Sequence, residues 1–566
     1  MMQKTWMTAL AVALAIVAEG ASAQTFWSTD ITTNTTWGNV ANPSPIILEG
    51  PIFVRGATLT ILPGTIVRGQ PRSAAVVVGS TVGTPGTLIV TQTGRLVADA
   101  SAANPIILTT AATDNDDDGV ADDADVNGFE DEWDPGDLFL DDAPTTAPLA
   151  PLNSDGNSNV ALWGGLVILG NAPTNNADKC GVGFGKCTIE GLTVPGFPPA
   201  DATYGGSDIH DNSGIVRYVS IRHAGDELGS GNELNGLSMG GVGDATILEN
   251  VEVYANFDDG FEWFGGTVNG KYLHVAFVGD DMYDLDEGYT GTNQFLFGIM
   301  PFFNEDDAQA FGSASGDKAG EFDGDNYRPD NVALNDNVSV RIDVALSTTD
   351  PTPMPLSNPQ MFNVTALGST PDLPREVNPV SSASTNRGIQ FRNGFAGTVW
   401  NSIVVNTGAE TGIEVDTTVG AGAPGFDAIT NANNGLISLV CSTLDDGSAP
   451  AAQETTVINN GNALSTALGG SAAANNVVNG AFNGLLKEDQ TFEPKGDASG
   501  KLVSSLKSSP IDPRPASGFT GVAGCPAPRG VILDPAATYR GAFLRTAPTL
   551  WTTGWTVLNI AGLLAD

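Results

Sequence analysis

Four pairs of apolar residues constrain this chain more than anything else in it. Val219/Ile221, Val251/Val253, Leu273/Val275 and Phe295/Phe297 each set two apolar side chains two positions apart, which is one face of an extended segment. The pairs begin 32, 22 and 22 residues apart. A period near 22 residues, divided into short strands, is that of one coil of a right-handed parallel β-helix. The longer step would carry an excursion within 228–243. The outward positions keep the same register, so that Arg217, Glu249 and Lys271 would form a column of alternating charge, its members roughly 4.8 Å apart.

The rest of the chain carries the same signal. The runs 51–54, 57–61 and 65–67 recur as 87–90, 95–98 and 105–108, punctuated by Gly, Asn and Asp. The gaps leave no room for crossover helices, which excludes a doubly wound α/β fold. Segments 388–391 and 398–405 supply further coils. Between them lie an acidic insertion at 111–160, a Pro/Ser/Thr-rich loop at 346–385 and a stretch at 417–480 rich in Gly, Ala and Asn. The expected fold class is all-β: a right-handed parallel β-helix (solenoid) with loop insertions over 24–510. Residues 511–566, with Trp551 and Trp555, are expected to form a C-terminal cap, because a solenoid end exposes unpaired strand edges.

Residues 1–23 have the pattern of a secretory signal: Lys4, an apolar stretch over 7–18, and Ala21-Ser22-Ala23 before Gln24. The apolar stretch falls short of the roughly 20 residues of a membrane span, and no transmembrane segment is expected elsewhere. No cysteine stands near the cleavage site for lipid attachment. The expected location is secreted, at the outer cell surface, or periplasmic. The four cysteines suit that setting and permit three pairings. Cys180–Cys187 would close the loop CGVGFGKC, and Cys441–Cys525 would tie the chain end to the body. Zinc is disfavoured, since there is no CxxC and no nearby His. With 65 Asp+Glu against 24 Lys+Arg, a net charge of −41 argues against nucleic acid and anionic membranes as partners.

The segments TLTILPGTIVRG, LWGGLVILGNAPTN, DNSGIVRYVSIRHAG, GSGNELNGLSMGGVG, DDGFEWFGG and GDDMYDLDEG, with the terminal TYRGAF and its Trp-rich tail, resemble a known family. It comprises bacterial secreted and surface β-helix proteins similar to leptospiral outer-membrane lipoproteins, with a pectin-lyase-like fold. The resemblance covers nearly the whole mature chain. It implies fold and location, and no reaction.

Two acidic sites stand out. Residues 114–125 read D-x-D-x-D-G-x-x-D-x-x-D, so that Asp114, Asp116, Asp118, Asp122 and Asp125 offer oxygens around a turn-forming Gly119, the pattern of a structural calcium loop. The second is a ladder. The coil offsets align Asp226, Asp258 and Asp280 in one column, Glu227, Asp259 and Asp281 in the next, and Glu262 over Asp284, with Asp286 and Glu287 following. Carboxylates so stacked need a cation, a shared proton or full solvation. They also permit glycoside hydrolysis through Glu262, Asp284, Asp259 and Asp281. Trp263, Phe264, Tyr283 and Tyr289 border this ladder and offer either sugar stacking or packing. Ser220, Glu252 and His274 share an outward column that could be drawn as a nucleophile, an acid and a base, with an exposed polar column as the plainer explanation.

The expectation is an exported, calcium-stabilised β-helix serving as a non-catalytic binding or adhesion scaffold toward glycan, surface or matrix components. The alternative is a secreted polysaccharide hydrolase or lyase that uses the acidic ladder.

Overall fold

The computed structural model describes residues 24–72, 83–112, 159–175, 185–192, 199–227, 233–300, 318–324, 357–368, 387–405, 413–415, 428–433 and 437–444. Toward the end of the chain it describes 477–478, 486–488, 492–496, 502–506, 510–516, 524–525, 534 and 537–565. The segment 1–23, most of the acidic insertion and most of the 346–385 loop lie outside them.

The chain is a parallel β-helix. One face is a nine-stranded parallel sheet in which every strand follows its predecessor in chain order, from Pro51–Val54 through Thr87–Val90, Leu166–Leu169, Leu237–Gly240, Phe261–Phe264, Tyr283–Asp286, Lys318–Asp323 and Arg387–Arg392 to Ile413–Val415. The two triplets of short runs near the start stack strand on strand, Ile52 on Leu88, Leu59 on Leu96 and Val67 on Leu108. A second, long sheet carries the recurring apolar pairs. Val219 lies over Val251 and Val251 over Leu273, and the charged column Arg217, Glu249, Lys271 keeps the same register. Arg217 bonds Asp99 at 2.7 Å and Glu249 at 3.0 Å.

The step after Leu273 is 23 residues rather than the expected 22. Leu273 sits over Leu296, so the apolar pair expected at Phe295/Phe297 is displaced by one position. The inward pair is Leu296 and Gly298, and the sulfur of Met282 occupies the space a side chain at Gly298 would need. Phe297 faces outward and stacks on His274, with ring centroids 4.8 Å apart. A one-residue slip in a strand exchanges its two faces, which is why a fixed period misassigns this coil.

The strands of the second sheet bend at one corner. Tyr218, Asn250, Tyr272, Phe295, Asn363, Asn401 and Cys441 recur there with φ of 51°, 53°, 58°, 60°, 53°, 53° and 51°. Asn tolerates this left-handed conformation, but for Tyr and Phe it costs of the order of 1 kcal/mol or more. Packing offsets that cost: Tyr272 stacks on Phe295 at 4.9 Å, and Trp555 and Trp551 close on Tyr218 and Tyr272 at 5.6 and 5.4 Å.

Those tryptophans belong to the C-terminal segment 537–565, which runs along the flank of the coils. At one end Arg540 donates to the Ser442 carbonyl (2.9 Å), and at the other the Val557 N–H donates to Glu252 (2.8 Å). Phe543, Leu550, Val557 and Leu558 are buried in one cluster with Tyr254, Ala276, Phe297, Leu367 and Ile403. The Cys441–Cys525 disulfide, with Cα atoms 5.8 Å apart, fastens the approach to this strap. Cys187 is also disulfide-bonded, while Cys180, its expected partner, lies outside the described residues. Among the described residues, no helix is long and apolar enough to cross a membrane.

Candidate functional site

The carboxylates gather where the chain turns from the second sheet into the nine-stranded one. Residues 256–260 and 279–282 make this turn in successive coils, one above the other. The column expected as Glu227, Asp259, Asp281 is in fact Asn235, Asp259, Asp281. The Asp259 N–H donates to Asn235 Oδ1 (3.1 Å), and the Asp281 N–H donates to Asp259 Oδ1 (2.8 Å). Asn235 Nδ2 also donates to Glu262 and to Ser238 Oγ (3.3 Å).

Asp226 therefore leaves the ladder. It lies in the hairpin Asp226–Glu227/Glu233–Leu234, where its carboxylate is paired with Arg72. The excursion includes the paired strands Asp226–Glu227 and Glu233–Leu234, and the chain is back in the sheet by Leu237. The 32-residue offset holds before the excursion and a 24-residue offset, Leu237 on Phe261, holds after it. Carrying 32 through the hairpin misaligned Asp226 and Glu227.

Glu262 pairs with Asp284, as the offsets imply, and Asp284 pairs in turn with Glu321, which the sequence reading did not include, along the outer face of the nine-stranded sheet. Two groups of three offer ligand oxygens all within 4.8 Å of one another: Asp258, Asp259, Asp280 and Asp259, Glu262, Asp284. Asp259 belongs to both. Asp259, Glu262 and Asp281 are buried. Burial comes first in pushing the carboxyls of Asp258, Asp259, Glu262 and Asp284 well above the usual range, and repulsion from the neighbouring acids adds to it. For Asp284, Lys318 pulls the other way. Lys318 lies 3.4 Å from Asp281 and 2.5 Å from Glu321, and Arg392 also pairs with Glu321 and with Asp323 (3.2 Å).

The bordering aromatics do not form a sugar platform. Trp263, Tyr283 and Tyr289 are buried in the interior, where Phe261 stacks on Trp263 and on Tyr283 at 5.8 and 5.9 Å. Phe264 is covered by Tyr204, from the short strand Thr203–Tyr204 that pairs with Cys187–Thr188, at 6.0 Å. Glu287 is likewise buried and accepts a hydrogen bond from Tyr204.

The Ser220, Glu252, His274 column forms as the register implies, but it is enclosed by the C-terminal strap rather than exposed. Ser220 Oγ donates to Glu252 (2.6 Å), whose carboxylate also receives the Val557 N–H. His274 Nδ1 meets the Phe297 carbonyl at 2.9 Å, and its Nε2 is 3.9 Å from Glu252. Burial there leaves no approach for a substrate. The calcium-type loop Asp114, Asp116, Asp118, Asp122, Asp125 lies outside the described residues. Sequence reasoning missed Asn235 and Lys318, both of which touch the cluster. Asn235 follows the hairpin, and Lys318 stands in a strand offset from the preceding one by 37 residues, Asp284 on Glu321, rather than by 22.

A family model described as the pectate-lyase like beta helix domain matches residues 148–482, more than half of the chain. No curated protein and no solved structure matches.

Proposed function

Because the chain belongs to the pectate-lyase-like β-helix family, we propose that it is an exported β-helix scaffold stabilised by calcium, acting without catalysis at the cell surface or in the surrounding matrix. The observation that carries this is the pair of carboxylate triads sharing Asp259. Two carboxylates at that spacing repel by about 3 kcal/mol at an effective dielectric near 20, and about 1 kcal/mol in water. The groups raising Asp258, Asp259 and Glu262 are burial and other acids, with no basic side chain among them. A hard divalent cation with oxygen ligands relieves both effects at once. The loop over 114–125 would hold a second, separate calcium. The resemblance to surface proteins akin to leptospiral lipoproteins supports the location, as does the Cys441–Cys525 disulfide.

Polysaccharide cleavage is the weaker reading. A sugar ring must reach both carboxyls, and Asp259 and Glu262 are 6% and 5% exposed. The aromatic rings that would receive it are buried, Trp263, Tyr283 and Tyr289 in the interior and Phe264 beneath Tyr204.

Calorimetric calcium titration of the wild-type protein and of Asp259→Asn, beside a variant of the 114–125 loop, tests the proposal. Asp259→Asn should lose the ions of the coil cluster and keep that of the loop. Equal stoichiometry in wild type and Asp259→Asn would overturn the cluster assignment. Release of reducing sugar or unsaturated uronate from a glycan panel would overturn the non-catalytic one.

A further inference from the structure

Lysine is almost never buried without a partner, yet Lys318 is 5% exposed and reaches back across one coil to Asp281, itself 3% exposed. Its Nζ stands 3.4 Å from Asp281 Oδ2 and 2.5 Å from Glu321 Oε2. Glu321 is held on its other side by Arg392, so it sits between two cations. This is also the thinnest step of the nine-stranded sheet. Tyr283–Asp286 and Lys318–Asp323 share two register pairs, whereas the steps before and after share four and five.

We propose that Lys318 and Asp281 condense to an intramolecular isopeptide bond, with Glu321 as the proton carrier. Lys318 Nζ already donates to Asp281 Oδ2, which is one bond from the carbon it would attack, and Glu321 stands on the same nitrogen, so the three groups are held together before any bond forms. Glu321 takes one proton from the Lys318 ammonium, and the freed amine attacks Cγ of Asp281. The bond from Cγ to one carboxylate oxygen then breaks. That oxygen leaves as water, carrying the proton returned by Glu321 and a second from the nitrogen. One ammonium and one carboxylate become one amide and one water, with no oxidant or other reagent. Taking two unlike charges out of water is costly, and the amide removes both. The link would close the chain between residues 37 apart.

The assay is mass spectrometry of the full folded chain. After reduction of the disulfides, the wild-type protein should weigh one water less than its sequence. No Lys or Arg lies between Lys271 and Lys318; after Lys318, Arg328 precedes Pro329 and resists trypsin, so the next cleavable site is Arg341. Trypsin cannot cut after an amidated lysine, so 272–341 should emerge as one peptide, also lacking a water, with fragment ions branching at Asp281 and Lys318. A succinimide would lose the same mass but leave Lys318 cleavable. Glu321→Gln keeps both linked residues and should restore full mass and cleavage after Lys318. Full mass with ordinary cleavage in the wild type overturns the proposal and leaves the contact an ion pair; that measurement decides even if the variant fails to fold. A light, uncut peptide that persists in Glu321→Gln would overturn the role of Glu321.

Discussion

Acidification should weaken the attachment of the strap through His274. The imidazole is fully buried, stacked flat on Phe297, and its Nε2 has no hydrogen-bond partner among the described residues. Burial pushes it from 6.5 down to about 4. Between those values the unfolded chain binds a proton that the folded chain does not. Stability from this group is therefore complete above about pH 6.5 and falls as the pH drops toward 4. The full loss corresponds to roughly 3 kcal/mol. The raised carboxyls of the coil cluster act in the opposite sense, since in the folded chain they bind protons at a higher pH than when unfolded. A difference measurement separates the two. Urea unfolding of wild type and His274→Gln, followed by tryptophan fluorescence between pH 7 and 4 with chelator, should show a gap between the proteins that changes by about 3 kcal/mol across the range, with wild type losing ground on acidification. Parallel pH profiles would refute the assignment of this loss to His274.

Three further outcomes follow from the geometry. Asp280→Asn should weaken calcium binding at the Asp258, Asp259, Asp280 group and, in chelator, stabilise the fold by about 1–3 kcal/mol through lost repulsion; thermal melts with and without calcium check both signs. Gly214→Ala should destabilise by about 2 kcal/mol or more, because φ there is +125° and an added Cβ would overlap the Leu96 carbonyl; chemical denaturation reads it. Cys525→Ser opens a disulfide that spans 84 residues and should lower stability by at most about 5 kcal/mol, seen as faster proteolysis of the 537–565 strap under native conditions.

The coils were legible wherever successive turns follow one another directly, as from Val251 to Leu273, because stacking at a constant offset copies chemistry from one coil to the next. Glu262 over Asp284 was legible for the same reason. Legibility failed where chain length between coils varies. The hairpin at 226–234 displaced Asp226 and put Asn235 into its column, and the extra residue before Leu296 turned Phe297 outward. The burial of Glu252 and His274 could not be read locally at all. Their covering comes from Val557, about 300 positions later, and a polar residue on an outward strand face looks the same whether water or a distant segment meets it. The left-handed Tyr and Phe corners were hidden too, since residue type alone argues against that conformation.

The strap turns a stack into something with a fixed length. In an ordinary solenoid each coil touches only its neighbours, so coils can be gained or lost with little penalty elsewhere. Here Arg540 is tied to Ser442 while Trp555 and Val557 reach Tyr218 and Glu252 several coils away. Inserting or deleting one coil between those points would move the two anchor sets apart or together by about 4.8 Å. Both could not then be satisfied by the same 537–565 segment. The segment thus acts as a ruler that counts coils, so a change in coil number requires a matching change in the C-terminal sequence.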